Sequence, residues 1–158
     1  MYINYLKPIL YFIPLAIIQL VIIPLISIFN IAPNLIFILI ALYTLRHGQA
    51  YGMVLGFVLG FLFDIISGGV IGASMLSFTI SSFVTGYFYS ENKIDINTNT
   101  YGFVFIVFLC GSVNSFIYAA ATSNMNFGIL IFDEGLLPGI YTALFSVAVI
   151  LFKPKERM

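Results

Sequence analysis

Residues 51–89 read YGMVLGFVLGFLFDIISGGVIGASMLSFTISSFVTGYFY and contain a single charged side chain, that of Asp64. Two apolar segments of helical length lie on either side of the short sequence Ser67-Gly68-Gly69. A membrane-spanning helix needs about 20 predominantly apolar residues, with a range of about 17–25. This stretch therefore predicts two transmembrane helices, at about 50–66 and about 70–90, joined by a tight turn.

The rest of the chain has the same apolar character. Of its 158 residues, 61% are hydrophobic and 8% are charged, and the six basic side chains balance the six acidic ones. Soluble domains are about 45–50% apolar and about 25% charged, so the composition excludes a water-soluble globule. The neutral balance gives no basic surface for nucleic acid. We predict an all-α integral membrane protein, with one transmembrane domain over residues 1–158.

Charged residues divide the sequence into uncharged runs, from which the other spans are predicted. The first run, 8–45, is too long for one helix, and proline with asparagine favours a turn at Pro33-Asn34. The part from Asn34 to Leu45 would be only about 18 Å long at about 1.5 Å per residue. It either crosses a locally thinned bilayer or is partly re-entrant. The predicted bundle of six transmembrane helices has spans at about 8–29, 33–47, 50–66, 70–90, 101–122 and 135–152.

Six spans with both termini in the cytoplasm collect every basic side chain on one side of the membrane. Cytoplasmic loops carry an excess of Lys and Arg, whereas the opposite side of this arrangement carries Asp133 and Glu134. The basic residues on the cytoplasmic side are Lys7, Arg46, Lys93, Lys153, Lys155 and Arg157. We therefore predict a multi-pass protein with both termini cytoplasmic.

Signatures of catalysis and of metal binding are missing. His47 is the only histidine and Cys110 the only cysteine, so a zinc site of the H-E-x-x-H type cannot form. Asp64 is the only carboxylate within a predicted span, whereas aspartyl chemistry needs two that share a proton. We predict a non-enzymatic protein with no catalytic residue, no cofactor and no metal site.

Asp64 requires a physical explanation, because a carboxylate at the centre of a spanning helix costs about 2.5–3.5 kcal/mol on insertion scales. One interpretation is a charge near the helix end that reaches the lipid headgroups. The other is a buried hydrogen-bond acceptor beside the 67–72 turn, where glycines let the backbone approach closely. We favour the buried acceptor and expect it to fix the turn through Ser67 and Gly72.

Glycines at every fourth position, from Gly48 to Gly60, form a strip along one face of the third predicted helix. Such a strip allows close helix contact, either inside the bundle, which we favour, or against a partner protein. The hydroxyl side chains of the fourth span, such as Ser77 and Ser81, are expected to bond between helices. The candidate structural or partner-contact residues are Gly52, Gly56, Gly60, Asp64, Ser67, Gly68 and Gly72.

The stretch 51–89 resembles the rod shape-determining protein MreD family. Members of that family are similar in length, have about six spans, and contain a glycine-spaced helix that ends in an aspartate before a Ser/Gly turn. Many members have Pro-Asp where this chain has Pro33-Asn34. The matching positions in this chain are Gly56, Gly60, Asp64, Ser67, Gly68 and Gly72.

The resemblance implies a non-enzymatic inner-membrane component of the bacterial cell-elongation machinery, which maintains rod shape. The implied partners are MreC by direct contact, and MreB, RodA and a class B penicillin-binding transpeptidase in the same complex. Membrane lipid surrounds the protein, and nucleic acid is not a partner. The alternative is the substrate-binding subunit of an energy-coupling-factor vitamin transporter, a six-helix bundle that MreD resembles. Such subunits usually carry a small-x-x-x-small motif in the first helix, where this chain has Ala16 followed by Leu20.

Overall fold

The regular elements of the computed structural model are helices, over the residues that it describes: 3–27, 31–91, 101–122 and 135–152. The elements are α1 (Ile3–Ile17), a π-helical turn (Ile18–Ile22), α2 (Ile23–Ile26), α3 (Leu35–His47), α4 (Gln49–Ser67), α5 (Ala73–Gly86), α6 (Tyr101–Thr122) and α7 (Leu137–Phe152). Residues at both junctions of the π-helical turn keep right-handed helical dihedral angles. The first three elements therefore form one continuous helix, here called the first rod.

The π-helical turn lies where proline interrupts the first rod. Pro24 has no N–H to donate, and its ring would collide with the carbonyl of Leu20 in a regular α-helix. Widening the preceding turn to a π-helix relieves that collision. The rod continues through the proline, and with it the described chain contains six helical segments, as predicted.

Three of these segments are long and apolar enough to cross a membrane: Lys7–Ile26, Gln49–Ser67 and Tyr101–Thr122. The shorter apolar helices are Leu35–His47, Ala73–Gly86 and Leu137–Ala148. Together these segments define a multi-pass membrane protein. Most residues that oriented the spans in the sequence, such as Lys93, Asp133 and Lys153, lie outside the described part of the chain, whereas Lys7 lies in the first rod and Arg46 in α3.

The shortest of the six segments, α3, lies at the centre of the fold. It contacts the first rod and each of α4, α5, α6 and α7. Its side chains are buried on every face, and Ile36, Phe37, Ile40 and Ala41 are completely enclosed. Because α3 is surrounded by protein, its length of about 20 Å need not match the lipid bilayer. The chain is one uninterrupted helix over Leu35–His47.

The other helices pack in chain order around this centre. The α4–α5 pair has the most extensive contact, followed by α6 with α7 and α5 with α6. The first rod is peripheral, with large apolar side chains such as Leu10, Ile13 and Leu25 exposed. In a bilayer these side chains face lipid or a partner, and the hairpin of α4 and α5 lies against the core.

Candidate functional site

The hairpin formed by α4 and α5 contains all the candidate residues, and its two helices run antiparallel in close contact. At one end, Gly86 packs against Gln49, whose Nε2 donates to the Phe83 carbonyl at 2.9 Å. At the other end, Gly60 packs against the backbone of Met75. The two helices are therefore held in a single register along their whole length.

Glycine at positions 56 and 60 is required by the backbone of α5. A Cβ atom at Gly56 would lie 2.8 Å from the Phe78 carbonyl oxygen, and one at Gly60 would lie 2.5 Å from the Cα of Met75. Atoms of a neighbouring backbone cannot move aside as the end of a side chain can. At these two positions, the four-residue spacing of the glycines therefore permits close contact between α4 and α5.

The remaining glycines of the strip have different neighbours. Gly52 faces α3, where a Cβ atom would collide with the Thr44 side chain. Gly48 lies before α4 and ends α3, since its N–H donates to the Thr44 carbonyl at 2.9 Å and its φ is 97°. The strip is consequently used inside the protein, against α3 and α5, and is not an open surface for a partner.

The Asp64 side chain is 2% exposed and accepts three backbone hydrogen bonds from the start of α5. Its Oδ2 accepts from the Gly72 N–H at 2.8 Å and from the Met75 N–H at 3.3 Å. Its Oδ1 accepts from the Ser74 N–H at 3.1 Å. The first N–H groups of a helix have no acceptor within that helix, and the positive end of the helix dipole favours an anion there. Asp64 on α4 therefore caps α5.

This geometry decides between the two interpretations of Asp64 in favour of the buried acceptor. Part of the expected detail is wrong, because the Ser67 hydroxyl bonds to the backbone carbonyl of Asp64, at 3.4 Å, and not to its carboxylate. The carboxylate reaches past the turn to α5. Asp64 thus joins two helices, whereas Ser67 belongs to the last turn of α4.

Two glycines shape the turn that brings α5 back to Asp64. Gly68 ends α4 with φ 65°, and Gly72 precedes α5 with φ 98°. Left-handed dihedral angles are unfavourable for residues that have a Cβ. Space is not the constraint at either position, since a Cβ atom would meet nothing within 4 Å.

Most hydroxyl groups of α5 donate within their own helix, whereas bonds between helices were predicted. The predicted kind of bond is found at Thr85, whose side chain also hydrogen-bonds with Cys110 of α6. Ser81 Oγ donates to the Ser77 carbonyl at 2.6 Å, and Thr85 Oγ1 donates to the Ser81 carbonyl at 2.7 Å. Ser82 donates in the same way to the Phe78 carbonyl. A hydroxyl that is satisfied by its own backbone presents only a small surface to its neighbour. These residues therefore permit close packing of α5 against its neighbours.

Sequence reasoning missed Gln19, an amide in the middle of the first rod. Its Nε2 donates to the Pro33 carbonyl at 2.9 Å, and its Oε1 accepts from the Leu35 N–H at 2.9 Å. Asn34 completes this junction, because its Oδ1 accepts from the Phe37 N–H at 3.0 Å and caps α3. The sequence feature that could have indicated this role is an uncharged amide alone in an apolar span, because such a group needs hydrogen-bond partners in a membrane.

The site offers no arrangement for catalysis within the described part of the chain. No group of three His, Cys, Asp or Glu side chains there is placed to hold a metal ion. His47 stacks on Tyr43 with ring centroids 5.7 Å apart, and its Nδ1 lies 3.3 Å from the Tyr43 carbonyl. It belongs to an aromatic cluster at the end of α3, remote in sequence and structure from Asp64.

These observations define a multi-pass helical membrane protein in which a buried carboxylate and a glycine strip hold a rigid hairpin against a central helix. The family model for the rod shape-determining protein MreD matches residues 2–154. The chain therefore belongs to the MreD family, and its role is in rod shape determination. That family is non-enzymatic, so this chain is not an enzyme.

No curated protein and no solved structure matches this chain.

Proposed function

We propose that this protein is a scaffold of the bacterial cell-elongation machinery in the inner membrane, where it binds MreC directly. MreB, RodA and a class B penicillin-binding transpeptidase belong to the same complex. The observation that carries this proposal is the match to the MreD family over residues 2–154. The rigid hairpin suits the role, since a scaffold holds its partners by fixed surfaces.

The surface that meets MreC lies outside the glycine strip, because α3 and α5 already occupy Gly52, Gly56 and Gly60. The opposite face of α4 carries the exposed side chains Val54 and Phe61. The first rod offers a second exposed apolar face. Contact with a single-span partner in a membrane depends on such faces, since the packed interior is not accessible.

Recovery of partners from the membrane tests the scaffold role. The tagged full chain is extracted from its own host into nanodiscs and scored for MreC, MreB, RodA and the transpeptidase, with an unrelated six-span protein as control. We expect MreC at the highest yield, and rod shape restored by the tagged chain in cells that lack the native copy. Normal accumulation of the chain without MreC recovery and without rescue of rod shape would refute the proposal.

The proposed orientation places both termini in the cytoplasm. It is supported by the even number of helical segments and by the basic residues that this arrangement collects on one side. In a Cys110→Ser background, single cysteines at Asn97 and Asn124 should react with an impermeant thiol reagent from opposite sides of the membrane. Labelling from the same side would contradict six crossings.

The alternative function, a transporter subunit, predicts a different result in the same recovery experiment. A transmembrane coupling subunit and ATPases would be recovered in place of MreC and the synthases. The family match is the reason to prefer the elongation machinery.

A further inference from the structure

A cavity of about 270 Å³, lined in part by polar side chains, lies beside the hairpin, at the end of the bundle where α3 begins and α4 ends. The first rod, the segment that precedes α3, and the helices α4, α5, α6 and α7 all contribute to its wall. The polar side chains that line it are Gln19, Asn34, Ser74, Asn114, Ser115 and Tyr118.

Asn114 on α6 differs from the other amides of this wall. Both polar atoms of Gln19 are paired, and the Oδ1 of Asn34 caps α3. Asn114 is 2% exposed, and its Oδ1 is buried without a hydrogen-bond partner among the residues that the structure describes. Buried polar atoms in folded proteins nearly always have partners, so this oxygen is available to accept a hydrogen bond from a bound group.

The chemistry of the wall restricts what that group can be. None of the described residues that line the cavity is charged. The adjacent carboxylate of Asp64 is already held by three N–H groups of α5, so the described part of the wall presents no free charge to an ion. An asparagine amide offers one acceptor and two donors, and hydroxyl groups can meet both.

We infer that this cavity binds one uncharged, hydroxyl-rich group of about the size of a single sugar ring, with Asn114 as its anchor. The group is either a free sugar or the headgroup of a glycolipid, since the cavity lies at an end of the bundle, where headgroups are found. This site is independent of the partner contacts proposed above.

The test uses the full chain in phosphatidylcholine nanodiscs, because that headgroup has no hydrogen-bond donor. Thermal unfolding is followed by circular dichroism with added glucose, and separately with monoglucosyl diacylglycerol or plain diacylglycerol in the bilayer. A ligand that binds only the folded state raises the midpoint temperature. We expect a rise with at least one glucosyl probe and none with diacylglycerol. A rise with the lipid only, or with glucose only, identifies the source.

The variant Asn114→Leu tests whether the rise in midpoint temperature depends on the proposed anchor. Leucine removes the unpaired amide, so the ligand-free variant should be as stable as the native chain or more stable. Its half-saturating probe concentration should be about tenfold higher or more, because the bonds to the amide are lost. Val113→Ile, on the adjacent face of α6, should leave binding unchanged.

Two outcomes would overturn the inference. One is the absence of a midpoint shift with both glucosyl probes, which would leave a cavity filled by water. The other is an equal shift in the native chain and in Asn114→Leu. If the leucine variant does not fold, Ser115→Leu fills the same cavity without changing Asn114. It must abolish the shift, and retention of the shift would also refute the site.

Discussion

The first rod and α3 are both almost entirely apolar, yet their surroundings are opposite. Leu25 of the rod is 81% exposed, whereas Phe37 of α3 is 0% exposed. The rod packs along one side only, while α3 contacts every other helical segment. In a membrane, lipid tails and a protein core are equally acceptable to an apolar side chain, so hydropathy does not distinguish the two helices.

The polar groups at the helix ends separate these two regions. Asn34 caps α3, and its own N–H donates to Thr142 Oγ1 of α7 at 3.0 Å. Gln19 of the first rod then binds the backbone on either side of Asn34. A few directed hydrogen bonds therefore place α3 in the centre and attach the rod to its start.

The largest effect is expected from a bulky side chain in the hairpin that packs on α3. Gly60→Leu forces a side chain into the backbone at Met75, and the collision cannot be relieved by a rotamer change. The variant should fail to accumulate in the membrane, as measured by immunoblot of membrane fractions. Val54→Leu, on the exposed face of the same helix, should accumulate normally. Normal levels of both variants would show that the hairpin is not closely packed.

Equivalent truncations in α3 and in the first rod test the difference between their surroundings. Phe37→Ala should lower the free energy of unfolding by about 3–5 kcal/mol because it leaves a cavity in the core. Leu25→Ala should change it by less than about 0.5 kcal/mol, as at other exposed sites. Unfolding by SDS in mixed micelles, followed by circular dichroism, measures both. Equal losses would contradict the assignment of the first rod to the periphery.

Removing the Asp64 carboxylate should have the next largest effect. Asp64→Leu leaves three N–H groups of α5 without their acceptor, and we expect a loss of about 3 kcal/mol and failure to restore rod shape. Asp64→Asn keeps one acceptor oxygen and should lose about 1 kcal/mol with partial rescue. The same SDS titration and a complementation assay measure these effects. Full rescue by the leucine variant at normal expression would exclude an anchoring role.

The smallest effect is expected in the turn of the hairpin. Gly68→Ala should cost about 1 kcal/mol, since its φ of 65° is unfavourable for alanine. Gly69→Ala should stay within about 0.5 kcal/mol, because a Cβ atom there meets its neighbours at ordinary contact distances of 3.5 Å or more. Equal effects in the SDS titration would mean that the turn tolerates other backbone conformations.

Helix positions were predicted well where apolar length alone defines them. The predicted 50–66 corresponds to Gln49–Ser67, and the predicted 101–122 corresponds to Tyr101–Thr122. The prediction of 70–90 was too long, because residues 70–72 form the turn that delivers N–H groups to Asp64. Composition carries no information on such a turn, since its residues are as apolar as those of the helix.

The candidate site was only partly predictable for a related reason. The spacing of Gly56 and Gly60 indicates a smooth face, but not which helix lies against it. Asp64 is recognisable as an unusual residue, yet its donors belong to residues eight to eleven positions later in the chain. Asn114 has no distinctive sequence pattern, and only the packed structure shows that its Oδ1 has no partner in the described part of the chain.

The sequence by itself determined the all-helical class, the number of helical segments and the glycine-spaced helix that ends in an aspartate. These properties follow from apolar length and residue spacing along one chain. Only the tertiary structure decided that the shortest helix is central and that Asp64 caps α5. The reason is that lipid and protein interior are both apolar, so burial in this protein depends on helix geometry and on a few hydrogen bonds between distant residues.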